Sequence, residues 1–110
     1  MSEGSLSEIE ARIRNAKSIG DERKNELLQL LGRLKSEVEE LSKTDDEHAH
    51  SIAGFAELSA HEAIRAQQNP QLLQYSLEGL RSSVQGFEES HPQLVQIVHN
   101  ISNRLANLGF

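Results

Sequence analysis

The sequence has no cysteine, no tryptophan and a single tyrosine, and aromatic residues make up only 4% of the chain. Without cysteine, neither a disulfide nor a thiolate is available as a nucleophile or a metal ligand. No apolar run approaches the ~18 residues of a membrane-spanning helix, and the first residues lack the apolar core of a signal peptide. We therefore expect a cytoplasmic protein with no membrane span.

The apolar residues that are present follow a helical spacing, and no stretch alternates like a strand. In the last third of the chain they recur at alternating intervals of four and three residues, an average of about 3.5 that is typical of a coiled-coil seam. The first run is Leu73, Leu77, Leu80, Val84 and Phe87, and the second is Leu94, Val98, Ile101, Leu105 and Leu108.

Five helices are predicted from this spacing and from the residues that cap helix starts. Their expected ranges are about 5–18, 21–42, 45–68, 70–89 and 91–108. The expected caps are Ser5, Asp21, Thr44, Asn69 and Ser90. Pro92 allows either a corner between two helices or a kink in one long helix, and an N-cap at Ser90 favours the corner.

Residues 1–110 are expected to form one all-α domain, with an N-terminal helix pair over 1–43 and a three-helix segment over 44–110. Only 36% of the residues are hydrophobic, and a narrow stripe buries little apolar surface. Folding must offset a loss of conformational entropy of about 1.5 kcal/mol per residue. We therefore predict an antiparallel helical bundle with coiled-coil-like heptad seams, completed by self-association as a homodimer or a higher homo-oligomer. The predicted seam residues are Leu77, Leu80, Val84, Phe87, Val98, Ile101 and Leu105.

The third helix predicts a second interface. Small side chains, from Ala49 to Ala63, cluster on one side of this helix and would allow a neighbouring helix to approach closely. Leu58 points to the opposite side, and Phe55 lies on the flank between them. A helix with apolar groups on two sides is usually covered on both, so Phe55 and Leu58 are candidates for contact with a second copy or another protein.

Three polar residues of the third helix form a weaker candidate site. His50, Glu57 and His61 lie within a narrow sector of the helix, which would suit a metal- or pH-responsive protein. A helical metal site normally needs three converging ligands, and His50 lies two turns beyond the other pair. The structural alternative, a polar face on which Glu57 pairs with His61, is favoured, and no metal or cofactor is expected.

Other function classes have little support in the sequence. The net charge is −6, and the basic residues between Arg12 and Lys24 are flanked by acids without aromatic residues that could stack on bases. Weak nucleic-acid binding through the region between Arg12 and Lys24 is a further alternative function. There is no nucleophile–base pair and no phosphate loop, so we expect no enzyme. Gly54, Gly79 and Gly86 are expected at points of close helix approach.

Several segments carry a resemblance to a known family. They are residues 59–63 (SAHEA), 69–73 (NPQLL), 86–92 (GFEESHP) and 105–110 (LANLGF). Together they resemble a family of short bacterial proteins described only as a domain of unknown function. The resemblance implies a small, cytoplasmic helical protein and brings no activity, cofactor or catalytic residue. The function expected from the residues is that of a non-enzymatic, homo-oligomeric interaction or scaffold protein.

Overall fold

A computed structural model describes residues 2–109, with side chains from residue 6 onward, and all of its regular structure is helical. The five helices are α1 (Ser2–Asn15), α2 (Asp21–Ser42), α3 (Asp46–Ile64), α4 (Pro70–Ser83) and α5 (Pro92–Gly109). The prediction of an all-α chain of five helices is confirmed.

Capping chemistry explains where two of the helices begin. The Asn69 side chain accepts a hydrogen bond from the Leu72 N–H at 3.1 Å and Pro70 follows it, as expected. At α3 the predicted cap, Thr44, is wrong. Asp45 accepts from the His48 N–H instead, and the Thr44 hydroxyl donates to a carbonyl at the end of α2.

Helix α2 covers the predicted range 21–42 but not with the predicted cap, and α1 starts earlier than predicted. Asp21 is the first residue of α2 rather than its cap, and Gly20 precedes it in an extended conformation with no side-chain cap. Helix α1 begins at Ser2 and ends at Asn15. The cap predicted at Ser5 falls on a side chain outside the described part.

Pro92 marks a corner, because α4 ends at Ser83 and α5 begins at Pro92. The end of α4 comes earlier than predicted. Gly86 has a φ of +95°, a left-handed conformation that glycine adopts at little cost, so the chain leaves the helical path here. The predicted N-cap at Ser90 is wrong, since its Oγ lies 2.9 Å from His91 Nδ1.

Helix α3 lies at the centre of the bundle and packs against all four other helices. Around it α1 contacts α2, α2 contacts α5, and α5 contacts α4. Within the described residues α1 and α4 do not contact each other. The outer helices therefore leave one opening, between α1 and α4.

The small residues of α3 make this central position possible. Its buried residues are mostly alanines: Ala49, Ala53, Ala56, Ala60 and Ala63. Short side chains allow neighbouring backbones to approach on several sides. Larger side chains from the surrounding helices then fill the space between them.

The expectation for the glycines holds at one of three positions. A Cβ at Gly79 would overlap the Phe55 ring, so α3 and α4 approach closely there. Nothing lies within 4 Å of a Cβ added at Gly54 or at Gly86. Gly86 is needed for its backbone conformation, and Gly54 faces solvent.

The heptad residues are buried within a single chain. Six of the seven predicted seam residues are at most 2% exposed and belong to one core: Leu77, Leu80, Val84, Val98, Ile101 and Leu105. Phe87 is half-buried against the same core. The premise that such narrow stripes need a second copy to be buried is wrong, because α3 supplies the missing surface within the same molecule.

No helix of residues 2–109 is both long enough and apolar enough to cross a membrane.

Candidate interaction surface

The opening between α1 and α4 exposes one side of α3. Phe55 and Leu58 lie on this side and are 37% and 46% exposed. They are one turn apart on a helix whose opposite side forms the centre of the core. The opening thus leaves both residues at the surface, as the sequence predicted.

Helix α4 contributes two more exposed apolar side chains, Leu72 at 43% and Tyr75 at 57%. Their spacing of three residues places them on one side of α4, and Gly79, a further turn along, lies on the same side. Gly79 is the residue that meets the Phe55 ring. The exposed sides of α3 and α4 therefore adjoin, and we call Phe55, Leu58, Leu72 and Tyr75 the apolar patch.

Local contacts hold two members of the patch in place. The Phe55 ring rests where α4 lacks a side chain, at Gly79, so one ring edge is covered and the other faces solvent. The Tyr75 hydroxyl accepts a hydrogen bond from Gln71 Nε2 at 2.9 Å. Both rings lose little further freedom on binding a partner, which favours association.

Sequence reasoning missed the two α4 residues of this patch. The heptad interpretation assigned the buried side of α4 to Leu73, Leu77 and Leu80, and it left Leu72 and Tyr75 outside the stripe. A large apolar residue that falls off a well-defined stripe was the available signal. On α3 the same signal identifies Leu58.

The structure does not bring the candidate ligands together as a metal site. His61 Nδ1 accepts a hydrogen bond from the Arg12 guanidinium at 2.9 Å, so it ties α3 to α1 instead of pairing with Glu57. His50 is exposed in the first half of α3, beside an open surface pocket with Glu47. Among the described side chains, no group of three or more His, Asp or Glu residues could hold a metal ion.

Two other histidines pack around an aromatic ring, an arrangement that the sequence did not predict. The Phe87 ring lies edge-on to His48 at 5.4 Å and to His91 at 5.6 Å between centroids. His48 Nδ1 also donates to the Asp45 carboxylate at 2.7 Å. His91 is half-buried at the corner, and its Nδ1 lies 2.9 Å from Ser90 Oγ.

The basic region is partly engaged in holding α1. Arg12 donates to His61, and Lys24 Nζ donates to the Arg14 carbonyl near the end of α1 at 3.0 Å. Lys35 also reaches α1, where it pairs at 2.9 Å with Glu10, a buried carboxylate. These contacts give several of the bases a structural role in joining α1 to α2 and α3.

Comparison with known proteins identifies a family. The family described as a domain of unknown function (DUF4404) matches residues 27–110, which confirms the resemblance to such a family. The matched region includes the whole of α3, α4 and α5 and hence the entire apolar patch. No curated protein and no solved structure matches the chain.

Proposed function

The chain belongs to the family described as a domain of unknown function (DUF4404), and on that premise we propose that it is a non-enzymatic scaffold protein that associates with copies of itself through the apolar patch. The description of the family names no function, so the proposal depends on the surface. The observation that supports it most is the grouping of four large exposed apolar side chains at the one opening in the bundle.

The physical reason is the free energy of exposed apolar area. Burying such area contributes about 25 cal/mol per Å², and contiguous apolar patches typically mark interaction sites. A two-fold contact would bring the patch of one copy against the patch of another. Because Phe55 and Tyr75 are large rings held in place by their neighbours, they would dominate the contact.

We expect Leu58→Glu to weaken self-association at least tenfold. The new carboxylate would be desolvated in the contact without a partner, and tenfold corresponds to only about 1.4 kcal/mol. Sedimentation equilibrium over a range of protein concentrations measures the change. Circular dichroism should show unchanged helicity, because Leu58 lies outside the core.

The matched control is Gln85→Glu, which adds the same charge at an exposed position beyond the end of α4. It should associate as the parent protein does. A parent protein that stays monomeric at about 100 μM, or a Leu58→Glu variant with unchanged association, would refute the proposal.

A further inference from the structure

The side of the molecule formed by α2 and α5, away from the apolar patch, carries a polar surface with an unusual order. Three cavities of about 350, 380 and 500 Å³ lie along the α2–α5 junction. The first two share Glu26 and Arg104 among their lining residues, and the last two share Asn100. Together they form one continuous trough, which we call the α2–α5 trough.

Side-chain amides follow the α5 side of the trough at intervals of three and four residues. They are Gln93, Gln96, Asn100, Asn103 and Asn107. This is the heptad spacing of a helix contact, with amides where a coiled coil has apolar residues. An amide carries both a donor and an acceptor, so a row of amides is complementary to a second such row.

Charges follow the α2 side so that a base toward one end corresponds to an acid at the same distance toward the other end. Arg23 and Glu26 lie toward one end, and Arg33 and Glu37 lie toward the other. If a second α2 lay antiparallel on the first, centred on Leu30, Arg23 would meet Glu37 of the copy. Within the described residues, Arg23, Arg33 and Glu37 form no ion pair in their own chain.

The two helices share the same centre. Arg104 donates to Glu26 at 2.8 Å, which places position 104 of α5 beside position 26 of α2. Since the helices are antiparallel, Asn100 then lies level with Leu30, and both line the same cavity. Asn100 is also the midpoint of the row of amides. A two-fold axis at the level of Asn100 and Leu30 would therefore place the α5 amides of one copy against those of the other. The same axis would place the bases of α2 against acids of the second α2.

We propose that the α2–α5 trough is a second homotypic contact, in which it docks antiparallel on the trough of another copy with Asn100 on the two-fold axis. The charges of the trough favour this occupant. Three acids, Glu22, Glu26 and Glu37, are balanced by three bases, Arg23, Arg33 and Arg104. The whole chain carries −6, so a neutral surface is where two copies repel each other least.

The size of the surface indicates a weak contact. Arg23 and Glu37 are separated by about 21 Å along the helix, and two helices present a width of about 20 Å. Each copy would bury roughly 400 Å², or roughly 800 Å² in total, which is below the ~1,000 Å² of a stable interface and makes this a transient contact. With the apolar patch on the other side of the molecule, two different two-fold contacts would join copies into larger assemblies.

Charge reversal tests the pairing, in the Leu58→Glu background so that the apolar patch does not contribute. Arg23→Glu places two acids at each contact, and Glu37→Arg places two bases there. Each variant alone should associate at least tenfold more weakly than the Leu58→Glu parent. An equimolar mixture of the two should recover association to within about threefold of the parent, because every contact in a mixed pair regains opposite charges.

A cysteine test checks the axis separately. The chain has no cysteine, so Asn100→Cys introduces a single thiol at the proposed axis, where it meets its own copy. Under mild oxidation this variant should form a disulfide-linked dimer at least tenfold faster than Gln85→Cys. Three outcomes would overturn the proposal. They are a Leu58→Glu protein that does not associate at millimolar concentration, a mixture of the two charge variants that does not recover association, and equal cross-linking rates for Asn100→Cys and Gln85→Cys. Because all of these proteins also carry Leu58→Glu, the outcomes are distinct from a failure of the contact proposed for the apolar patch.

Discussion

Replacing Leu80 with aspartate is expected to unfold the protein. Leu80 is fully buried in the single-chain core, and loss of a buried leucine costs about 2–5 kcal/mol. The carboxylate adds the penalty for burying an unpaired charge, which is several kcal/mol more. The total rivals the roughly 5–15 kcal/mol that stabilises a domain of this size. Loss of helicity by circular dichroism at 25 °C measures the effect, and Ile101→Asp on α5 should behave in the same way.

The control is the same substitution on the exposed side of the same helix, Leu72→Asp. Leu72 is 43% exposed, so this variant should keep its helices and lose only self-association. If the Leu80→Asp variant kept its helicity and only showed a lower molecular mass in light scattering, Leu80 would act between chains rather than within the core.

Enlarging the centre of α3 is expected to be the second most damaging change. Ala56 is fully buried in the helix that all four others contact. Ala56→Leu therefore has to displace neighbouring helices, and overpacking of this kind typically costs about 1–3 kcal/mol. Urea unfolding should show the midpoint falling with an unchanged slope.

A matched change on the other side of α3 should have the opposite sign. A Cβ added at Gly54 meets nothing within 4 Å, so Gly54→Ala gains helix propensity without a clash. We expect stabilisation of about 0.5–1 kcal/mol. If Ala56→Leu were as stable as the parent, or if Gly54→Ala were destabilising, the orientation assigned to α3 would be wrong.

The sequence predicted the helices well, but the reason it offered for self-association is wrong. Local spacing and capping residues determine the number of helices. The cap at Asn69 is predicted correctly, together with the proline at the first position of α4. The expectation of self-association rested on the width of each stripe considered alone. That estimate fails because α3 is central and all four other helices pack against it, so their stripes are buried in one core. Such an arrangement depends on long-range topology, which periodicity does not contain.

The errors at helix ends have local causes. Two signals competed at the end of α4, where the heptad continued through Val84 and Phe87 while Gly86 permitted a turn. The turn prevails, and Val84 still reaches the core from the loop. At α3, both Thr44 and Asp45 could serve as the cap, and the carboxylate, a stronger acceptor at a helix N-terminus, takes that role.

The candidate surface was half predictable. Phe55 and Leu58 follow from the helical wheel of α3, because the alanines opposite them define the buried side. The α4 stripe already leaves Leu72 and Tyr75 outside the core, but their position beside the exposed side of α3 required the packing of α4 on α3, which the approach of Gly79 to Phe55 shows. The α2–α5 trough required the register between two helices, which the pair of Glu26 and Arg104 reveals.

The central position of α3 also determines how the backbone amides of the molecule exchange with solvent. Amide protons on the buried side of α3 reach deuterated solvent only when the surrounding helices separate, so their exchange reports the complete loss of structure. Helix α1 contacts only α2 and α3 within the described residues. It can lift away while the other four helices stay together, and its amides should lose their protection first.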